Sequence, residues 1–310
     1  MSGGLSGAGR GHLAMFAFSA LVAGSFSLGG MMANLISPLA FSALRFLLAA
    51  LVLGALAAAT GGFRRRDLAA PWRYAVLGLC LAAYFVLMFE GLKTAPPVST
   101  AAVFTLTPAM AAVFGWLILR QRTSAAVALA LALGAAGAVW VIFRADLAAL
   151  MAFRVERGEV VYFWGCAAHA LYTPLVRRLN RGESPVVFSL GVLVAGWLML
   201  TAIGWADIRA TDWAALPAIV WVALVYTAVF ASAATFVLLQ YAALRLPAAK
   251  VMAYTYLVPS WVILWEIALG NPAPRALVLP GILATVAALV LLMRPETPDP
   301  RLRRPRPVRH

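Results

Sequence analysis

A lysine stands in one of two segments that share a spacing of prolines. LRLPAAKVMAYTYLVPSW, residues 244–261, holds Lys250 between Pro247 and Pro259, among apolar and aromatic residues. Tyr254 follows Lys250 by four positions, so a helix would bring the cation and the ring to one face. This pair suits a ligand that carries a carboxylate and an aromatic side chain. Alternatively, Lys250 extends its amino group to water at the end of a helix.

A histidine in another apolar segment is the second candidate. His169 follows Trp164 by five positions and precedes Tyr172 by three, so a helix would place Tyr172 on its face and Trp164 near it. One interpretation is a buried neutral histidine that bonds to a backbone carbonyl. The other is a cavity histidine that binds substrate or carries a proton.

Two further ionisable residues lie in apolar surroundings, namely Arg45 and Glu90. A charge at the centre of a bilayer costs about 2.5 kcal/mol or more, so such residues are paired or functional. We predict a structural ion pair between Arg45 and Glu90, with a role in substrate binding or gating as the alternative. Further candidates to line a site are Tyr84, Met88 and Ser25, although aromatic stripes of this kind more often pack a core.

The composition defines the class of protein. Of the 310 residues 64% are hydrophobic and 12% are charged, and the mean hydropathy is +0.90. Soluble domains are close to half apolar and one quarter charged. Apolar runs of about 20 residues recur, without the alternation of a barrel strand. We therefore predict an all-α polytopic membrane protein, and we assign the net charge of +14 to topology and lipid headgroups, with no nucleic-acid partner.

Ten membrane spans can be placed along the chain. Arginine is concentrated in alternate loops, which predicts that both termini are cytoplasmic. The Pro- and Arg-rich residues 294–310 should form a disordered basic tail. The predicted spans are 13–35, 38–60, 74–93, 97–119, 124–143, 158–176, 185–206, 215–243, 247–269 and 276–293.

The two halves of the chain repeat each other. A shift of 151 positions aligns residues 84–108 with 235–259 and pairs Pro96 with Pro247 and Pro108 with Pro259. Five spans per repeat is an odd number, so the second copy is inverted, as in many transporters that work by alternating access. We predict repeats at 1–143 and 158–293, joined by an extracytoplasmic connector at 144–157. Pro108 and Pro259 are predicted to act as gates or hinges, and Ser99 is the counterpart of Lys250.

The chain resembles a known family in these same segments. The pattern Pro-Leu-x-Phe-x-x-x-Arg-Phe that opens the second span, YFVLMFEGLKTAPPVSTAAVFTLTP and YAALRLPAAKVMAYTYLVP are similar to the EamA-type repeat of the drug/metabolite transporter superfamily. Its aromatic spans are most similar to YddG-type exporters of aromatic amino acids. The Gly-Glu that often ends the fourth helix of such repeats is replaced by ILRQRT and ALGNPAP, which leaves Glu266 as the nearest acid.

The resemblance implies export of aromatic and other hydrophobic amino acids, or related metabolites, across a bacterial inner membrane. Span one has no carboxylate and Glu159 lies at the mouth of span six, so facilitated diffusion or weak proton coupling through His169 fits better than carboxylate-based antiport. Carriers of cationic drugs or nucleotide sugars are the alternative, and a membrane-embedded enzyme is a remote one. We expect no cofactor, metal or catalytic residue, and a monomer or weak oligomer.

Overall fold

The computed structural model describes residues 7–61, 67, 69–121, 123–151 and 155–293. Within these ranges every regular element is a helix, and no strand occurs. The basic triplet at 64–66 and the tail at 294–310 lie outside the described residues. The α-helices are α1 Gly7–Met32, α2 Pro38–Ala59, α3 Trp72–Gly91, α4 Pro97–Phe104, α5 Thr107–Leu119, α6 Ala125–Ile142, α7 Leu147–Met151, α8 Arg157–Leu179, α9 Pro185–Ile203, α10 Trp205–Ala210, α11 Ala218–Ala228, α12 Thr235–Ala243, α13 Ala248–Met252, α14 Val258–Ala268 and α15 Leu279–Met293.

Nine helical segments in the described ranges are long and apolar enough to cross a membrane. The predicted sixth span corresponds to α8, which has 23 residues and is long enough. It is less apolar because it carries charges at both ends and buries His169, Thr173 and several tyrosines. The chain is therefore a polytopic helical membrane protein.

Three spans predicted as continuous are broken. Span four consists of α4 and α5, and span nine consists of α13, a 3₁₀ turn Ala253–Leu257 and α14. Span eight contains a π-helical turn, Val229–Ala234, between α11 and α12. Pro108 and Pro259 are the hinges predicted for spans four and nine, and the breaks lie next to them. The π turn of span eight was not predicted, because it leaves the apolar sequence unbroken.

The breaks in spans four and nine occupy equivalent places in the two repeats. Pro96 and Pro247 are the N-cap residues of α4 and α13, and α5 and α14 begin at Thr107 and Val258, again 151 positions apart. Pro108 and Pro259 stand in the first turn of the second half-helices, where a proline costs no hydrogen bond. The repeated prolines therefore begin new helical segments after each break.

Helices of the two repeats pack closely through glycine. A Cβ atom on Gly137 of α6 would lie 2.5 Å from the carbonyl oxygen of Gly281 in α15, and one on Gly281 would lie 2.7 Å from the carbonyl oxygen of Gly137. Such contacts are typical of membrane helices, where small residues let backbones approach. This contact joins spans five and ten, and α3 packs on α8 and α9 to join the halves again.

Candidate functional site

The interior of the bundle contains a cluster of stacked rings around His169. The imidazole lies parallel to the ring of Tyr84, with centroids 4.4 Å apart and an interplanar angle of 19°. On α4, Phe104 also stacks with the imidazole, at 5.4 Å and 16°. The rings of Phe18 and Tyr172 lie 6.4 and 6.3 Å from it. These side chains come from spans one, three, four and six, so the cluster lies where both repeats meet.

Hydroxyl and amide groups are bonded to one another at the edge of this cluster. Tyr162 donates a hydrogen bond to the hydroxyl of Tyr84 over 3.1 Å. Gln240, fully buried in α12, donates from Nε2 to the hydroxyl of Tyr172 over 2.8 Å. The interior is therefore aromatic in shape but carries several groups able to bind a polar ligand.

Several buried polar atoms near these rings have no hydrogen-bond partner among the described residues. They include both ring nitrogens of His169, Oγ1 of Thr173 and Oε1 of Gln240. His169 is buried, only 3% exposed, as one interpretation expected, but among the described residues no backbone carbonyl accepts a hydrogen bond from its ring. An unpaired buried polar group costs about 1–3 kcal/mol, and such groups in native proteins need a ligand or water to explain them.

Two other predicted site residues are also inside the bundle, and one is not. Met88 is fully buried, and the hydroxyl of Ser25, 2% exposed, has no partner. Trp164 is 64% exposed on the outside of the bundle. It stands five positions before His169, and five residues on an α-helix turn the side chain by about 140° away from it. The sequence neighbourhood of Trp164 was thus misleading about its direction.

Ser99 lies at one end of the bundle, beside a cavity of about 910 Å³. Its hydroxyl donates a hydrogen bond to Oε1 of Glu159, and Glu159 is only 3% exposed. Both residues line the cavity together with Glu266. We name this cavity the acidic vestibule, since it is lined by the carboxylates of Asp146, Glu156, Glu159 and Glu266 and by the two arginines Arg144 and Arg275.

Lys250 and Tyr254 lie at the opposite end of span nine from the vestibule. Tyr254 is 4% exposed, and its hydroxyl lies 3.1 Å from Nδ1 of His12 and 3.0 Å from the sulfur of Met293. Lys250 is half-buried and near enough to His12 for their charges to interact. The structure therefore separates Lys250 from its counterpart Ser99 and places it with the first and last spans.

A hydrogen bond between two threonine hydroxyls links the break in span four to the break in span nine. Thr107 begins α5, Thr255 lies in the 3₁₀ turn of span nine, and their Oγ1 atoms are 3.2 Å apart. Both threonines are fully buried. This bond joins spans four and nine in the interior of the bundle.

The predicted ion pair between Arg45 and Glu90 does not form. Glu90, in the last turn of α3, pairs at 2.7 Å with Lys93 in the turn that follows, and both side chains are partly exposed. Arg45 is fully buried and bonds to the π-helical turn of span eight, donating from Nε to Oγ of Ser232 over 2.7 Å. The prediction was wrong because Glu90 lies near water, where a neighbour three residues away satisfies it.

Several residues of the buried interior were not predicted from the sequence. Tyr162, Phe104 and Gln240 were not singled out, and Glu159 was treated as a residue at the mouth. A signal for two of them was present, because Glu159, Tyr162, Cys166 and His169 recur at spacings of three, four and three, which is one face of a helix. All four are buried.

The ten helical segments, the symmetric breaks and the polar interior define a membrane transporter built from two repeats. The chain belongs to the EamA-like transporter family, whose model matches residues 9–143 and again residues 156–294. The uncharacterized transporter YyaM of Bacillus subtilis (strain 168) is similar over 280 residues at 24% identity, which covers 90% of this chain and 92% of YyaM. A solved structure, described only as the crystal structure of a protein, has a TM-score of 0.72 at 21% identity, covers 91% of this chain and 96% of its own, and supports the fold alone.

Proposed function

We propose that the protein exports aromatic and other hydrophobic amino acids, or related metabolites, by alternating access. The observation that carries this proposal is the ring cluster at His169, which combines a flat apolar surface with two unpartnered ring nitrogens. When the interior opens, an aromatic side chain would stack against such rings, and the amino acid's charged groups would bond to the unpartnered atoms. Tyr84, Tyr172, Met88 and Ser25 belong to this proposed site.

The proposed cycle uses the breaks in spans four and nine as hinges. Opening on the vestibule side requires the half-helices to separate around Thr107 and Thr255, and Pro108 and Pro259 begin the segments that would rotate. We place Lys250 and Tyr254 at the entrance from the cytoplasm, where Lys250 attracts the carboxylate of the substrate. Ser99 and Glu159 lie at the exit.

The proposal includes an orientation and a mode of coupling. Both termini are cytoplasmic, the membrane is the bacterial inner membrane, and residues 1–143 and 158–293 form the repeats that rock against each other. The segment 144–157, which contains α7, connects them outside the cell. Transport follows the amino-acid gradient, with at most weak proton coupling through His169.

Uptake into liposomes tests this proposal. Purified protein is reconstituted and offered labelled phenylalanine, threonine and a cationic dye, with and without a pH gradient. Saturable uptake of phenylalanine with weak dependence on the pH gradient is expected. Uptake of the dye alone would contradict amino-acid export, and a strict requirement for the gradient would contradict facilitated diffusion. Full transport by Lys250→Ala would remove Lys250 as a carboxylate partner.

A carrier for cationic drugs is the second candidate, because the vestibule favours it. Four carboxylates line the cavity, and Glu159 is buried beside Ser99 at its inner side. A lipophilic cation would be attracted there and could stack on the rings deeper in the bundle. The dye in the same liposomes distinguishes the two, since a drug carrier transports the dye and leaves phenylalanine outside.

A further inference from the structure

Arg45 is a fully buried cation deep in a membrane span. It lies eight residues into α2, about 12 Å from the start of that helix. Its Nε donates to Oγ of Ser232 over 2.7 Å, and its Nη2 donates to the carbonyl oxygen of Ala231 over 2.8 Å. Both acceptors belong to the π-helical turn of span eight. A π turn inside an α-helix is frequently found at a functional site.

Two nitrogens of the guanidinium donate hydrogen bonds to neutral oxygens, which do not compensate its positive charge. Nη1 is buried and has no partner. Among the described residues no carboxylate forms a salt bridge with Arg45, and Glu90 is already paired with Lys93. Buried charges in proteins are as a rule paired with an opposite charge. An anion that reaches Nη1 would supply the missing counter-charge.

The guanidinium also lies beside the ring cluster. Its Cζ atom is 3.7 Å from the ring centroid of Phe85, a cation–π distance, and the rings of Phe85 and Tyr84 are 4.5 Å apart. Tyr84 in turn stacks on His169. Only the ring of Phe85 therefore separates the guanidinium from Tyr84, which belongs to the ring cluster proposed to hold an aromatic side chain.

We propose that Arg45 binds the carboxylate of the transported substrate through Nη1, with the π turn of span eight holding the guanidinium in place. The proposal rests on the function proposed above. It narrows the class of substrates to aromatic compounds that carry a carboxylate on a short chain from the ring. Arginine suits this role because Nη1 can donate a charge-assisted hydrogen bond to the carboxylate while Nε and Nη2 stay bonded to the π turn. In this account Lys250 attracts the substrate at the entrance, and Arg45 holds it inside.

The competing role for Arg45 is to clamp spans two and eight together. Ser232 separates the two roles, because its hydroxyl binds Nε and lies on the opposite side of the guanidinium from Nη1. Ser232→Ala removes one of the two hydrogen bonds that join spans two and eight, but it leaves the charge of Arg45 and its unbonded Nη1 in place. We expect Ser232→Ala to lower thermal stability and to keep the preference for carboxylates.

Two analogues of phenylalanine test the proposal in liposomes. Phenylpropionate keeps the carboxylate and lacks the amine, and phenethylamine keeps the amine and lacks the carboxylate. In the wild-type protein, phenylpropionate should inhibit uptake of labelled phenylalanine at least about tenfold more strongly than phenethylamine, since a hydrogen bond to a charged group is worth about tenfold or more in affinity. In Arg45→Gln, the KM for phenylalanine should rise about tenfold and the two analogues should inhibit equally.

The outcomes distinguish a failure of the role proposed for Arg45 from a failure of the proposed export function. Equal inhibition of the wild-type protein by both analogues overturns the role of Arg45, and so does a folded Arg45→Gln variant with the wild-type preference. If Arg45→Gln is not monodisperse in detergent, Arg45→Lys decides, because it keeps the charge but its ammonium ends short of the position of Nη1. An unchanged preference in Arg45→Lys then overturns the proposal. A wild-type protein that does not transport phenylalanine contradicts the proposed function instead.

Discussion

The imidazole of His169 and the phenol ring of Tyr84 lie face to face in the interior, with centroids 4.4 Å apart. They come from α8 and α3, so the contact joins the second repeat to the first. Neither nitrogen of the imidazole has a hydrogen-bond partner in the part of the chain that the structure describes, although the side chain is buried. A ring that is held by stacking and left free at its polar edge is suited to bind a ligand.

Replacing the imidazole by a ring of similar shape separates its polar role from its packing. His169→Phe keeps the stack with Tyr84 and Phe104 and removes both nitrogens. We expect the KM for phenylalanine to rise about tenfold, since a lost hydrogen bond to a charged ligand group costs that much affinity. Thermal stability should stay within a few degrees of wild type, because the unpaired polar atoms are gone.

Trp164 is the matched control on the same helix. Its side chain is 64% exposed, so Trp164→Phe should leave the KM and the maximal rate at wild-type values. A rise in KM equal to that of His169→Phe would contradict the placement of the cluster on the opposite face of α8.

The proline breaks predict a change in rate without a change in affinity. Pro108→Ala and Pro259→Ala each restore a backbone N–H in the first turn after a break and favour a continuous helix. If the breaks are hinges, the maximal transport rate should fall several-fold while equilibrium binding of phenylalanine is unchanged. Pro185→Ala, at the start of the unbroken α9, is the control and should keep the wild-type rate.

The sequence contained much of this architecture. Apolar run lengths gave the spans, and the shift of 151 positions carried over to the structure, where α5 and α14 begin at Thr107 and Val258. The direction of side chains was harder, since Trp164 and His169 stand in one apolar helix with no strong polar face to orient it. The π turn at Val229–Ala234 has no sequence signal, because its residues are ordinary helix formers in lipid. The partner of Arg45 therefore could not be inferred.

Glycine at the contact of spans five and ten should be irreplaceable. A side chain at Gly137 would meet the backbone of Gly281, which cannot move aside as a flexible side chain can. Gly137→Leu should therefore lower the melting temperature in detergent by several degrees, since overpacking costs about 1–3 kcal/mol or more. Gly54→Leu is the control, because the nearest atom to its Cβ would be 4.0 Å away. Equal stability of the two variants would contradict the packing.

A buried ion pair between Arg73, at the start of α3, and Glu183, in the loop between α8 and α9, predicts a dependence of stability on pH. Arg73 donates to Glu183 over 2.7 Å and to the carbonyl oxygen of Leu179 over 2.6 Å. Burial raises the pKa of Glu183, but hydrogen bonds from Arg73 and from the backbone N–H of Arg181 outweigh it and hold the pKa below its ordinary value. The stabilisation is therefore complete above the unfolded pKa of about 4.3 and is lost as the pH falls through the folded pKa.

Glu183→Gln tests this pair. The variant should be less stable than wild type at pH 7, because removing one partner leaves Arg73 buried without its charge. Its melting temperature should depend less on pH below about 4.3, where Glu183 titrates in the wild-type protein. Glu90→Gln, which removes the exposed pair with Lys93, should change the melting temperature very little. A Glu183→Gln variant with wild-type stability would show that the pair is not stabilising.

Counterflow of phenylalanine tests the central claim most directly. Liposomes containing the protein are loaded with unlabelled phenylalanine and diluted into a trace of labelled phenylalanine at equal pH on both sides. The account predicts a transient accumulation of label that saturates with concentration and is reduced in His169→Phe. Label that enters no faster than in protein-free liposomes would contradict the claim that this interior carries aromatic amino acids.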